Sequence, residues 1–286
     1  MNSDRRTFFK TLGVAGITLA IGKSASAGET MALKTEFRGV LYDSTRCVAC
    51  RQCESACAET HKLPQPSDEL VTGVVRKTSE TQRTVVNMYA TSKGEVPVKK
   101  QCMHCNEPAC AAACLTQAMY KTKEGPVIWR GEKCMGCRYC MVSCPFDVPK
   151  FEYHSANPSI QKCDMCYDRL KEGKIPACVE ICGNALTYGT RRELIAEARK
   201  RMMEAPADYN GQVFGEYVAG GTSYLYIGPA PFEELGFNTK LQESSYPALT
   251  KGFLYSVPAV FVLLPSLLLG IHESTKGKQI KEEDNE

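Results

Sequence analysis

The placement of cysteine constrains the fold of this chain more than any other feature of its sequence. All 16 cysteines among the 286 residues fall into four groups of four, and none is left over. Such a number in a chain of this length is typical of proteins held together by bound metal or by disulfides. The spacing within each group helps to distinguish the two.

Two of the groups have the C-x2-C-x2-C-x3-C spacing of bacterial ferredoxins. The first motif consists of Cys47, Cys50, Cys53 and Cys57, and the third consists of Cys134, Cys137, Cys140 and Cys144. The other two groups have a longer insertion before their third cysteine, which lengthens a loop without changing the number of ligands. The second motif consists of Cys102, Cys105, Cys110 and Cys114, and the fourth consists of Cys163, Cys166, Cys178 and Cys182.

The ferredoxin spacing suits the geometry of a 4Fe–4S cubane, in which each of four iron atoms needs a thiolate. Three cysteines at short spacing wrap one loop around three corners of the cubane. The fourth follows a helical step, points away from that loop and ligates the other cluster of a pair. The sequence therefore predicts four 4Fe–4S clusters, with all sixteen cysteines as iron ligands.

Two other interpretations of the cysteines remain open at this stage. Structural zinc sites also use C-x2-C pairs, although they rarely use three cysteines at this spacing with a proline after the last, as Pro145 follows Cys144. Eight disulfides are the other alternative, but cysteines three residues apart in a tight loop pair poorly with one another. The spacing favours clusters over both.

Several polar residues lie next to the motifs. His104 is either a hydrogen-bond donor near a sulfur or a residue of the loop surface. An oxidised cluster with four thiolates carries a charge of about −2, so neighbouring cations are expected to offset it and tune its potential; otherwise they are ordinary solvated side chains. These cations are Arg51, Lys99, Lys100, Lys133, Arg138 and Lys162.

Nothing in the sequence indicates catalysis by this chain alone. It has no nucleophile elbow, phosphate loop or dinucleotide fingerprint. It also has no basic block or basic–aromatic stripe that would indicate nucleic-acid binding. Electron transfer without a substrate pocket is the function that these observations favour.

The first 27 residues are predicted to be an export signal. Arg5 and Arg6 precede Phe8, an uncharged stretch runs from residue 11 to residue 22, and Ala25-Ser26-Ala27 has the form of a cleavage site. The paired arginines favour the twin-arginine route over a general secretory signal. That route carries folded proteins, so clusters could be inserted before export.

The other end carries an apolar stretch. Residues 253–271 are 19 residues without a charged side chain. A helix of this length is just long enough to cross a bilayer core of about 30 Å. Pro258 and Pro265 should kink it, which membrane helices tolerate. Lysines follow the stretch and favour a cytoplasmic tail, with the main domain on the opposite side. The alternative is a buried core helix.

Local patterns predict several elements of an α+β domain. Strands are expected at 37–42, twice within 70–90 around residues 79–83, in a hairpin of 119–121 with 127–129, and at 223–227. Thr190 and Glu193 form a capping-box pattern that opens a helix with apolar residues Leu194, Ile195, Ala198 and Met202. The predicted division is a signal (1–27), a four-cluster ferredoxin domain (28–205), an extension and linker (206–248), a transmembrane anchor (249–272) and a tail (273–286).

The four motifs together, with their insertions, resemble the four-cluster ferredoxin subunits of the dimethyl sulfoxide reductase type. The chain is most similar to the HybA-type branch, the iron–sulfur subunits of periplasmic nickel–iron hydrogenases. The resemblance rests on the stretches Leu41–Cys47, Lys99–Cys105, Cys137–Lys150 and Tyr188–Leu194, together with the two ends. Cys114 departs from the common pattern in being followed by Leu115 rather than proline.

The resemblance implies a duplicated ferredoxin-like fold with a pseudo-twofold axis, four clusters and a C-terminal transmembrane helix. It pairs the first motif with the fourth and the second with the third. One pair of clusters would then be held by Cys47, Cys50, Cys53, Cys182 and by Cys163, Cys166, Cys178, Cys57. The other pair would be held by Cys102, Cys105, Cys110, Cys144 and by Cys134, Cys137, Cys140, Cys114.

The same resemblance implies two partner proteins. Such subunits relay electrons between a catalytic oxidoreductase subunit and a multi-spanning, quinone-reactive membrane subunit. A periplasmic nickel–iron hydrogenase is the favoured catalytic partner. A molybdenum oxidoreductase, such as formate dehydrogenase or a sulfur-compound reductase, is the alternative. The implied location is the periplasmic face of the cytoplasmic membrane.

Overall fold

The computed structural model describes residues 36–283, with side chains as far as residue 275. The predicted export signal and the end of the predicted tail lie outside these residues. The strands are β1 (Arg38–Asp43), β2 (Val85–Thr91), β3 (Gly94–Lys100), β4 (Met119–Lys121), β5 (Val127–Trp129), β6 (Lys150–Phe151), β7 (Ile160–Gln161), β8 (Leu186–Thr190) and β9 (Tyr224–Ile227). The α-helices are α1 (Gln52–Thr60), α2 (Ala109–Ala112), α3 (Tyr139–Val142), α4 (Tyr167–Lys171), α5 (Ala177–Ile181), α6 (Arg191–Glu204) and α7 (Tyr246–Glu283).

The core is built around a three-stranded sheet in the order β8–β1–β9. Strand β1 pairs antiparallel with β8 and parallel with β9. Alternate residues of a strand point to opposite faces. On one face, Leu41 and Leu225 pack with Ile227 against Leu194 and Ala198 of α6. The other face carries a second buried cluster, which includes the side chains of Val40, Tyr42, Tyr224 and Tyr226.

Most of the locally specified elements are confirmed. The predicted strand at 37–42 is found one residue later as β1, and the predicted strand at 223–227 is β9. Strands β4 and β5 form the predicted hairpin. Thr190 accepts a hydrogen bond from the Glu193 amide, and Glu193 accepts one from the Thr190 amide, so the capping box opens α6 as expected.

The prediction of two strands between residues 70 and 90 is wrong. Only the second part of this segment is extended, as β2, and its partner is β3. The chain reverses at Thr91–Gly94, where Gly94 has φ +98°, a conformation that suits glycine in a tight turn. Val71 and Val74 are about half exposed, because no neighbouring strand covers them.

The segment 206–248, predicted as an extension and linker, contributes β9 to the central sheet. Val218–Gly220 forms a short 3-10 helix nearby, and the amides of Ala219 and Gly220 donate to the carbonyls of Gln242 and Glu243. These bonds connect the sheet to the start of α7. Helix α7 is then a candidate membrane-spanning helix over Tyr246–Thr275, with none of its apolar window buried.

Candidate iron–sulfur sites

The loops of the first and third motifs have the same backbone conformation. A short 3-10 helix precedes each, at Ser44–Arg46 and at Gly131–Lys133. Before the third cysteine, Arg51 and Arg138 both adopt the left-handed conformation, at φ 60° and 62°. Such residues cost strain and persist where the surroundings demand them. In each loop the chain thus turns sharply at this arginine, directly before the helix that carries the third cysteine.

The second and fourth motifs match each other in the same way. His104 and Met165, the residues before the second cysteine, both have positive φ values, 48° and 59°. Their amides donate to the first cysteine of the motif, His104 to Cys102 Sγ at 3.4 Å and Met165 to Cys163 Sγ at 3.4 Å. Both amides therefore point at the sulfur of a candidate iron ligand. A proline also occupies the N-cap position directly before the helix that carries the third cysteine, Pro108 for α2 and Pro176 for α5.

The helices of paired motifs pack together. Helix α1 carries the third and fourth cysteines of the first motif and contacts α5 of the fourth motif, while α2 contacts α3. The fourth cysteine of one motif is thereby brought to the loop of the other. The cavity and the thiol–thiol interactions described below suggest four candidate sets of four thiols, which we name sites A to D. Site A is Cys47, Cys50, Cys53 and Cys182; site B is Cys57, Cys163, Cys166 and Cys178; site C is Cys102, Cys105, Cys110 and Cys144; site D is Cys114, Cys134, Cys137 and Cys140.

Site B surrounds a cavity. Its lining contains all four thiols of the site together with Lys99, His61 and Tyr224. Cys57 of the first motif thus lies among the first three cysteines of the fourth motif. Burial raises the pKa of Cys57 to about 12, and the nearby Cys178 and Cys166 thiols add to that rise.

In each of the other three sites, neighbouring thiols help to raise the pKa of one cysteine, which indicates that the thiols lie close together. Burial raises the pKa of Cys47, with further contributions from Cys182 and Cys50 across site A. Burial also raises the pKa of Cys105, to which Cys102, Cys144 and Cys110 of site C add. For Cys140 of site D the pKa rises to about 11, mainly through burial and then through Cys114, Cys134 and Cys137. All sixteen cysteines are free of disulfides.

The two halves meet where site B adjoins site C. Burial raises the pKa of Cys163, and the thiol of Cys102, which belongs to the other half, contributes to the rise. Sites A and B share the first and fourth motifs, and sites C and D share the second and third. The four sites therefore form the sequence A–B–C–D.

Lys99 and Lys162, beside the motifs, are both buried without a carboxylate partner in the part of the chain that the structure describes. Lys99 is 1% exposed, and its Nζ donates only to Thr84 Oγ1 (2.7 Å) and Gln101 Oε1 (2.9 Å). Its pKa is nevertheless raised: burial lowers it, but the thiols of sites A and B outweigh that effect. A buried unpaired ammonium costs several kcal/mol unless negative charge lies close by.

His104 supplies a second test of what these sites hold. The ring is fully buried, and its Nδ1 accepts a hydrogen bond from the Val127 amide at 2.9 Å. Burial, followed by the charges of Lys162 and Lys121, holds its pKa well below the usual value. The neutral ring therefore carries its proton on Nε2, which has no partner among the described residues. An orphaned donor and unpaired ammonium groups, surrounded by thiols, fit an anionic group with sulfur acceptors such as a 4Fe–4S cluster.

The other flanking cations are not equivalent. Arg51 pairs with the buried Glu54 at 2.8 Å. Lys100 lies 3.1 Å from the centroid of the Phe237 ring. Lys133 is exposed, and Arg138 lies over the ring of Phe151. The expectation that cations approach the clusters thus has support for Lys99 and Lys162, while Lys133 and Arg138 are exposed.

Sequence reasoning did not identify a polar group next to site B. His61 Nε2 lies 3.8 Å from Cys166 Sγ and 3.4 Å from a carboxylate oxygen of Asp164. Arg83 donates both to His61 Nδ1 (2.9 Å) and to Asp164 (3.0 Å). No spacing signal links these three residues, which lie far apart in the chain. Because Cys166 belongs to site B, the group borders that site.

The comparisons with known proteins agree with this geometry. Residues 95–191 match a family model described as a 4Fe-4S dicluster domain. A protein of Nitratidesulfovibrio vulgaris (strain Hildenborough) is 45% identical, over 96% of this chain and 78% of that protein. The hydrogenase-2 operon protein HybA of Escherichia coli O157:H7 is 32% identical, over 94% of this chain and 93% of HybA.

The chain belongs to the family of iron–sulfur electron-transfer subunits that includes HybA. The resemblance found in the sequence is therefore confirmed. A further family member, the iron–sulfur subunit of the nitrate-inducible formate dehydrogenase of Escherichia coli K12, is 31% identical, over 65% of this chain and 66% of that subunit. The family carries 4Fe–4S centres in a ferredoxin-type domain, and the sixteen free thiols are consistent with this.

Proposed function

We propose that sites A to D each hold one 4Fe–4S cluster and that the chain relays single electrons along them. The relay runs between a catalytic oxidoreductase subunit and a quinone-reactive membrane subunit. The clusters supply the one-electron redox chemistry when bound. The chain contributes the thiolates, the order of the sites, and the burial that keeps water away from the middle of the row.

A duplicated ferredoxin-like fold accounts for the arrangement of the sites. Strand β1 and its motif correspond to β5 and its motif, and the partner strands β8 and β4 follow α5 and α2. The matching φ values of Arg51 and Arg138 support this correspondence, as do those of His104 and Met165. Crossed ligation follows, with Cys57 and Cys182 exchanged within one half and Cys114 and Cys144 within the other.

The observation that carries the proposal is the continuous order of the sites. The lining of the site B cavity joins the first motif to the fourth. The two halves are joined by Lys162, whose Nζ donates to the Cys163 carbonyl at 2.8 Å and lies 4.0 Å from Cys102 Sγ. A structural metal protein needs no such row. An electron relay does need its sites in a row, because each redox centre must receive an electron from one neighbour and pass it to another.

Both ends of the row reach the surface. Cys50 of site A and Cys137 of site D are exposed, whereas each of the inner sites has buried thiols and none that is exposed. Apolar side chains lie exposed beside both ends, such as Val48 (79%) at site A and Val142 (85%) at site D. Exposed apolar patches mark protein–protein contacts, so each end offers a partner a docking surface.

The membrane end is the half that contains sites C and D. Helix α2, which carries Cys110 of site C and leads to Cys114 of site D, contacts α7. Ser245, directly before α7, donates a hydrogen bond to the Glu107 carboxylate. With α7 as a single-pass anchor, site D would face the membrane subunit and site A the catalytic subunit.

A nickel–iron hydrogenase is the favoured catalytic partner because the similarity to HybA extends over nearly the whole of both chains. The formate dehydrogenase subunit matches over a shorter part, so a molybdenum enzyme is the second candidate. The N-terminal Arg5 and Arg6 favour twin-arginine export. The main domain would then lie on the periplasmic face, and the tail in the cytoplasm.

Purification of the native complex tests this assignment. The full-length chain, tagged after its tail, would be solubilised in mild detergent and the metals of the copurifying subunits measured. Nickel together with bleaching of the visible absorbance of the complex by hydrogen gas would support the hydrogenase assignment. Molybdenum, with bleaching by formate and not by hydrogen, would support the alternative. Molybdenum with bleaching by neither donor would point to the sulfur-compound reductase. An absorbance that not even dithionite bleaches would contradict the relay.

A further inference from the structure

Two lysines occupy the same position relative to a cysteine motif but differ in environment. Lys133 directly precedes Cys134, and Lys162 directly precedes Cys163. Lys133 is exposed on a short 3-10 helix. Lys162 is 3% exposed. The sequence gives no sign of this difference.

Lys162 lies where the two halves meet. Its Nζ donates to the carbonyl oxygens of Val127 and of Cys163, the latter at 2.8 Å. It also lies 4.0 Å from Cys102 Sγ. Cys163 belongs to site B and Cys102 to site C, so one ammonium group is shared by the two inner sites.

No carboxylate balances this charge among the described residues. Asp164, the nearest acid in the sequence, pairs with Arg83 at 3.0 Å and with His61 at 3.4 Å. The other contacts of the ammonium are neutral carbonyls and a cysteine sulfur. A buried cation held in this way requires negative charge nearby, and the cysteines of sites B and C, once they bind iron as thiolates, are the groups placed to supply it.

We propose that Lys162 is a fixed counter-cation for sites B and C, which raises the reduction potential of the centres held there. One-electron reduction adds one negative charge and breaks no bond. A buried positive charge therefore stabilises the reduced form more than the oxidised form. The middle of the row, where no partner protein supplies charge, becomes easier to reduce.

This inference rests on the cluster ligation proposed above, but different measurements test the two proposals. Iron and sulfide content test whether the clusters are present. The midpoint potentials of the centres test what Lys162 does to them. A protein with full iron and unshifted potentials would contradict only the inference.

The experiment is a redox titration of the full-length protein, purified without oxygen and followed by electron paramagnetic resonance. Lys162→Met removes the charge and the hydrogen bonds, whereas Lys162→Gln removes the charge but retains a donor for the Val127 carbonyl. Lys162→Arg retains the charge. Lys133→Gln is the matched control, since it removes an exposed lysine from the same place in another motif.

We expect both neutral variants to lower the equilibrium constant for reduction of at least one centre by tenfold or more, which corresponds to about 59 mV for a one-electron step. Lys162→Arg and Lys133→Gln should leave all the potentials close to those of the wild type. The shift should persist at high salt, because a buried charge is screened far less than an exposed one.

Unchanged potentials in Lys162→Gln, or the same shift in Lys133→Gln, would overturn the proposal. If both neutral variants lose iron while Lys162→Arg retains it, the charge is required at the stage of cluster assembly, which supports the same role. Loss of iron from all three Lys162 variants would overturn it, because only the shape of lysine would then matter.

Discussion

At the scale of single residues, each thiol must lose a proton before it can ligate iron. Burial raises the pKa values of Cys53, Cys57 and Cys110 to about 12, so these groups are protonated at neutral pH when no metal is bound. Iron binding therefore releases protons, and the affinity for iron falls as the pH falls. For each such thiol, the free energy of iron binding becomes less favourable by about 1.4 kcal/mol for every unit by which the pH lies below the pKa of the thiol.

We therefore predict that iron is lost faster at pH 6 than at pH 8. The purified protein would be incubated with an excess of a bathophenanthroline chelator, whose ring nitrogens stay unprotonated over this range. Appearance of the coloured iron complex gives the rate. Equal rates at the two pH values would contradict proton release from buried thiols as the controlling factor.

The identity of the candidate ligands was predictable from the sequence, but much of their environment was not. Motif spacing is a local property, so it indicated all sixteen cysteines. Burial depends on what the rest of the chain places around a residue, and spacing alone does not distinguish Lys133 from Lys162. His61 and Arg83 lie beside site B only because α1 and the following loop fold over it.

At the scale of elements, predictions succeeded where the signal lay within a short segment. The β4–β5 hairpin and the capping box of α6 are of this kind. The parallel pairing of β9 with β1 joins residues almost two hundred positions apart, and no local pattern specifies it. The valines near residue 71 carry strand-forming side chains, but the chain gives them no partner strand.

The packing of α6 on the central sheet yields a prediction at this scale. Leu194 is 2% exposed and contacts Leu41 and Leu225. Truncation of such a leucine to alanine costs about 2 to 5 kcal/mol. We expect Leu194→Ala to lower the denaturant midpoint of unfolding, measured by far-ultraviolet circular dichroism with the clusters loaded.

The matched control lies on the same helix. Met203 is 73% exposed. Met203→Ala should change the free energy of unfolding by less than about 0.5 kcal/mol and so leave the midpoint nearly unchanged. Equal effects of the two substitutions would contradict the packing of α6 against the sheet.

At the scale of the whole molecule, the candidate membrane-spanning helix α7 begins after the last cysteine, so membrane attachment and cluster binding can be tested separately. Its apolar side chains are exposed from Phe253 to Ile271. We expect a chain ending at residue 252 to remain folded and to retain its iron, but to be released from membranes by alkaline carbonate. Removal of residues 276–286 alone should leave attachment intact. Carbonate-resistant attachment of the shorter chain, when no partner subunit is present, would contradict the anchor.

The most direct test of the account is the metal and sulfide content of the full-length protein, purified without oxygen. Four clusters require one iron and one acid-labile sulfide for each of the 16 cysteines, since each cysteine would hold one corner of a 4Fe–4S cubane. Zinc in place of iron, or iron at half this ratio, would contradict four clusters. So would iron without sulfide.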